Sequence, residues 1–114
     1  MSVIAPFPNG RDRRPIATFE RRELNRILDL YGRMVAAGHW RDYAIRVHPE
    51  VVIFAAFRRT SERPEIRIEK RPELRLKQGA FALIGEHGMV LKRGQELAAV
   101  LAPLERRLMR LVEE

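Results

Sequence analysis

DYAIRVHPEVVIFAAFRRTSERPEIRIEKR, residues 42–71, decides the fold of this chain. From Tyr43 to His48 the apolar Tyr43, Ile45 and Val47 alternate with Ala44, Arg46 and His48, the period-two pattern of a strand with one buried and one wetted face. Pro49 stops the run, because proline brings no N–H to a sheet ladder. The next stretch is apolar on both parities, Val51, Ile53, Ala55 and Phe57 on one and Val52, Phe54 and Ala56 on the other, which predicts a central strand covered on both faces. Thr60 to Pro64 reads as a hairpin loop, and Ile66 and Ile68 then alternate with Glu65, Arg67, Glu69 and Arg71 as a strand with one charged face. Connections this short join antiparallel neighbours, since a parallel pair needs a long crossover.

Working outward, residues from Thr18, read as an N-cap, place Leu24, Ile27, Leu28, Tyr31, Met34 and Val35 on one helical face, and Gly38 ends the helix. Gly32 inside it costs about 1 kcal/mol against alanine and predicts close packing on the sheet at that point. Downstream, Pro72 stops the third strand and a basic connection runs through Arg75 and Lys77 to Gly79. Ala80 to Ile84 and Met89 to Lys92 then form a hairpin about His87 and Gly88. Leu97, Val100, Leu101, Leu104, Leu108, Leu111 and Val112 give a C-terminal amphipathic helix that Pro103 should kink near Ala102. The predicted class is α+β: an N-terminal helix, an antiparallel meander of four to five strands, and a C-terminal helix kinked near Pro103. Residues 1–17 hold Pro6, Pro8, Pro15 and the cluster Arg11, Asp12, Arg13, Arg14, and read as a flexible basic arm; residues 18–114 read as a single domain.

Composition narrows the chemistry. The 114 residues include no cysteine, which removes disulfide frameworks, thiolate metal sites and cysteine nucleophiles. The longest apolar run, Val51 to Phe57, is far short of the roughly 20 residues of a membrane span, and Met1 to Pro8 lacks the basic start of a secretory signal. A cytoplasmic protein with no membrane partner is expected. His39, His48 and His87 are far apart and have no i+4 partner, so no metal and no cofactor is expected, and His39 and His87 read as loop side chains. Ser2 and Ser61 sit in no nucleophile elbow, and no glycine set makes a phosphate loop. The GEHG stretch at 85–88 joins two predicted strands, unlike the helix-joining clamp of KH domains. With no assembly of nucleophile, base and oxyanion donor, the chain is not read as an enzyme.

Charge is the informative feature. The 22 Lys+Arg exceed the 15 Asp+Glu, and residues 58–93 alone hold ten basic against five acidic side chains. Arg58, Arg59 and Arg63 crowd one hairpin, Arg67 and Arg71 share a strand face, Arg46 lies on the first strand, and Arg75, Lys77, Lys92 and Arg93 flank the later ones. Arginine suits bidentate phosphate contact, so this set is the candidate nucleic-acid surface, with Trp40 and Tyr43 as a stacking platform. The competing reading is a solvated ladder in which Glu65, Glu69 and Glu73 neutralise Arg67, Arg71 and Arg75.

LYGRMVAAGHWRDYAI (30–45), FRRTSERPEIRIEKRP (57–72) and LKRGQELAAVL (91–101) resemble a family of small alphaproteobacterial proteins known only as a domain of unknown function. That resemblance implies a cytoplasmic bacterial setting and no catalytic residue. GMVLKRGQELAAVLAPLERRL (88–108) also resembles, at the level of fold, the strand-into-helix portion of PC4-like single-stranded DNA binders, which implies an Arg/Lys-rich sheet and a dimer. The sequence reading is a non-catalytic module that binds nucleic acid, single strands by preference. The alternative is a protein-interaction or dimerisation module, suggested by the two apolar faces of the central strand.

Overall fold

The computed structural model describes residues 16–59 and 63–113. Helix α1 (Arg21–Ala36) is followed by strands β1 (Asp42–Val47), β2 (Val52–Phe57) and β3 (Ile66–Lys70), and a single 3-10 turn spans Pro72–Leu74. Strands β4 (Phe81–Ile84) and β5 (Val90–Gly94) then lead into helix α2 (Leu97–Glu113). The strands form one antiparallel sheet in the order β1-β2-β3-β4-β5, the meander that the short connections require. No helix among the described residues is long and apolar enough to cross a membrane. Of the arm expected over 1–17, residues 1–15 lie outside the described ones, and Ala17 is buried with its N–H directed to the carbonyl of Pro49.

Helix α1 is capped at Glu20, two residues beyond the expected cap at Thr18. Thr18 spends its hydroxyl on the Phe19 carbonyl, and the Glu23 carboxylate accepts the Glu20 N–H at 2.8 Å, half of a capping box at Glu20. At its other end Gly38 takes φ +79°, which allows His39 N–H to reach Met34 O and Gly38 N–H to reach Val35 O, a Schellman closure. Gly32 does not mark close packing: it is exposed, and a Cβ there would meet nothing within 4 Å. Helix α2 runs unbroken through Pro103, so the proline sits inside one helix rather than starting a second. Gly79 is a position where glycine is required, with φ +105° and a virtual Cβ only 2.4 Å from the Gly94 backbone.

Both helices lie on one side of the sheet. Ile27, Leu30 and Met34 of α1 and Leu97, Val100, Leu101, Leu104 and Leu108 of α2 share a core with Val52, Phe54, Ala56, Ile66, Ile68, Phe81 and Leu83. The register sets Phe54, Ile68 and Leu83 side by side across three strands as the floor of that core. Tyr31 and Tyr43 close on Phe54 with ring centroids 6.0 and 5.1 Å away. Lys70 joins β3 to α1 through Glu23 at 2.8 Å, and Arg26 joins α1 to α2 through Glu105 at 3.3 Å.

The expectation of a second covering layer on β2 is not met among the described residues. Ile53, Ala55 and Phe57 point to a face with no helix, yet Ala55 (6% exposed), Ala82 (0%) and Ile84 (4%) are buried there. Their neighbours by register are long: Ala55 and Ile84 flank Arg67, and Ala82 lies between Glu69 and Arg93. The register sets long arginine and glutamate side chains beside these small apolar residues, which accounts for their burial on a face without a helix.

Candidate functional site

The antiparallel register writes out the helix-free face row by row. Across β1 to β5 one row reads Arg46, Ile53, Glu69, Ala82, Arg93, and the next reads Ala44, Ala55, Arg67, Ile84, Val90. Phe57 stands opposite Asp42 at the end of β2, and Arg71 reaches the Glu69 carboxylate at 3.5 Å from the end of β3. Four arginines, Arg46, Arg67, Arg71 and Arg93, are thus gathered round an apolar floor. Arg93 donates to the Gly79 carbonyl at 3.5 Å, and Arg46 and Arg67 make no ion pair with any described residue.

The remaining basic residues of the expected surface go elsewhere. Arg58 lies 3.4 Å from Glu86 and 3.9 Å from Glu65, and Arg63 lies 3.8 Å from Glu86, so the β2–β3 hairpin is tied to the β4–β5 turn by carboxylates. Arg59 adjoins them in sequence, and Thr60 to Glu62 lie outside the described residues. Arg75 and Lys77 are exposed on the turns after Pro72–Leu74, away from the strand rows. Lys92 pairs with Leu83 and so belongs to the helix side of edge strand β5.

Two expectations are corrected here. Trp40 is no stacking platform: it is 2% exposed, stacked on Tyr31 at 6.0 Å, with its indole N–H on Glu65, and Tyr43 packs on Tyr31 and Phe54 on the helix side. The glutamate ladder forms only in part: Glu69 pairs with Arg71 at 3.5 Å, while Glu65 turns away from Arg67 towards α2.

Glu65 is instead the centre of a polar clip. Its carboxylate, 13% exposed, accepts from Trp40 Nε1 at 2.5 Å and from Arg107 Nη2 at 2.6 Å. Burial alone would raise this carboxyl, but the hydrogen bonds from Arg107 and Trp40 outweigh it and hold it below the usual carboxylate range. His39 is not a free loop side chain: its Nε2 accepts from Arg107 Nη2, and burial followed by the Arg107 cation pushes the imidazole below its ordinary value, against the pull of Glu65. The clip joins the end of α1, the start of β3 and the last half of α2. Its hydrogen-bonded pairs are 25 to 68 residues apart in sequence, so no local spacing signals them. Among the described residues no three His, Asp or Glu side chains gather as a metal set.

No curated protein and no solved structure matches the chain. The strand-into-helix join that carries the PC4-like resemblance is present as β5 and α2, without a solved counterpart to extend it. Residues 17–101, from the buried Ala17 through the first turns of α2, match the model of a family described as Protein of unknown function (DUF2794), and the chain belongs to that family.

Proposed function

We propose that this chain is a non-catalytic cytoplasmic module that binds single-stranded nucleic acid on the helix-free face of its sheet. The observation that supports it is the set Arg46, Arg67, Arg71 and Arg93 round Ile53, Ala55, Phe57 and Ile84, with Arg46 and Arg67 unpaired among the described residues. Guanidinium groups offer phosphate a planar, always-charged fork. The half-buried Phe57 ring and the aliphatic floor offer unstacked bases an apolar contact, which a duplex with its bases paired inside does not use. Glu69 among the four arginines keeps the face from being a uniform positive field and favours a strand held at separate points.

The test is a fluorescence-anisotropy titration against single-stranded DNA, single-stranded RNA and duplex DNA at several salt concentrations. The expected result is tighter binding to the single strands, weakening with salt at a log–log slope of about −3 for four phosphate contacts. Absence of binding at low salt, or preference for the duplex, overturns the reading.

A further inference from the structure

β1 and β5 are the two edges of the sheet, and they are finished differently. β5 carries Lys92 and Arg93, and its pairing is broken by a register shift at Leu83/Ile84, both features that discourage another strand from adding on. β1 pairs with β2 in unbroken register over all six residues. His48 donates to Val51 O at 2.9 Å, so by the antiparallel alternation Asp42, Ala44 and Arg46 use their backbone groups towards β2. Those of Tyr43, Ile45 and Val47 point out of the sheet, and of these the Tyr43 N–H is taken by its own neighbour, the Asp42 carboxylate, at 2.8 Å. The side chains of the same three residues are 41%, 40% and 56% exposed.

We propose that β1 is an interface for a second copy of this chain, paired antiparallel about a two-fold axis at Ala44. Charge selects both the occupant and the register. Asp42 and Arg46 lie two residues to either side of Ala44 on the open face, so an axis there sets Asp42 of each copy opposite Arg46 of the other and Tyr43 opposite Ile45, twice over. An axis at Arg46 would oppose two arginines, and one at Ile45 would set Arg46 against Ala44 and leave its charge unmatched. Pairing β1 on β5 would bring Arg46 towards Lys92 and Arg93 and would generate an open-ended chain, whereas the two-fold arrangement closes. Asp42 exchanges its own Tyr43 N–H for the guanidinium of the other copy, and Arg46, unpaired among the described residues, gains a carboxylate. The product is one continuous ten-stranded sheet with a joined open face.

Sedimentation equilibrium of the full chain over a wide concentration range tests this. The expected mass rises from 13.3 kDa towards twice that value. Asp42→Arg opposes like charges and holds the protein at the monomer mass, and adding Arg46→Asp restores the dimer at unchanged net charge relative to wild type. Ile45→Pro, which removes an outward N–H and no bond to β2, gives a monomer independently of charge. Circular dichroism confirms that each variant is folded, and if the charge-swapped chain does not fold, Ile45→Pro carries the test. A wild type that stays at 13.3 kDa at the highest concentration overturns the proposal, as does a dimer untouched by both Asp42→Arg and Ile45→Pro; a folded double variant that stays monomeric overturns the register.

Discussion

Phe54 and Ile53 are consecutive residues of β2 whose side chains leave the sheet on opposite sides. Phe54 is fully enclosed beneath Tyr31 and Tyr43 in the core that both helices close, whereas Ile53 lies between Arg46 and Glu69 with no helix over it. Sequence alone makes the two positions look alike, both large and apolar in the middle of a strand. Their surroundings differ because the long side chains of neighbouring strands, rather than a second layer, cover the Ile53 side. One face has been sealed by packing, the other by amphipathic stems that can be displaced.

The largest expected effect separates these two neighbours. Phe54→Ala removes a ring from a closed core and is expected to cost about 4 kcal/mol, while Ile53→Ala, on a face that water and flexible arginines can refill, is expected to cost about 1.5 kcal/mol. Urea unfolding of both variants measures the difference, and equal losses would mean that the open face is sealed as tightly as the core.

Next comes the clip that holds the helix layer in place. Glu65→Ala leaves the Trp40 indole N–H and the Arg107 guanidinium without their acceptor, at an expected cost of about 3 kcal/mol. The same cluster sets the acid limit of stability. Glu65 and His39 both titrate lower in the fold than in the unfolded chain, so each contributes stability above its unfolded pKa and loses it as pH falls. The His39 contribution declines from about pH 6.5 downward and that of Glu65 from about pH 4.5 downward. Melting temperatures followed from neutral to acid pH should therefore fall in the wild type, and fall less steeply in Glu65→Ala below the carboxylate range.

The smallest effect has the opposite sign. Gly32 is exposed on α1 with open space where a Cβ would stand, so Gly32→Ala should stabilise the protein by about 1 kcal/mol in thermal unfolding. A loss of stability would mean that some surface not seen in the single chain packs on that helix face.

These contrasts show what residue pattern can and cannot carry. The meander was legible because period two, the prolines at 49 and 72 and the short loops act within a few residues of one another. The arginines of the open face were legible as a charge excess, and the register was needed to separate Arg46, Arg67, Arg71 and Arg93 from Arg58 and Arg63, which are bound to Glu86. Trp40 was misplaced because an indole beside a strand looks the same in sequence whether its N–H meets water or Glu65. The role of Glu65 was invisible beforehand: its strongest partner, Arg107, is 42 residues away on α2, while Arg67, two residues away, is the neighbour it does not use. The start of α1 was shifted by a local competition, since Thr18 and Glu20 both offer cap chemistry and only Glu20 has Glu23 three residues on.

The central claim is that the two faces of this sheet differ in function as well as in packing. Its most direct test compares the salt dependence of single-stranded DNA binding for wild type, for Arg67→Ala with Arg93→Ala on the open face, and for Arg26→Ala with Arg110→Ala on the helix layer. The account predicts a log–log slope near −3 for wild type and the helix-layer variant, reduced to about −1.5 when the two open-face arginines are removed. A slope unchanged by the open-face pair, or reduced equally by the helix-layer pair, would contradict it.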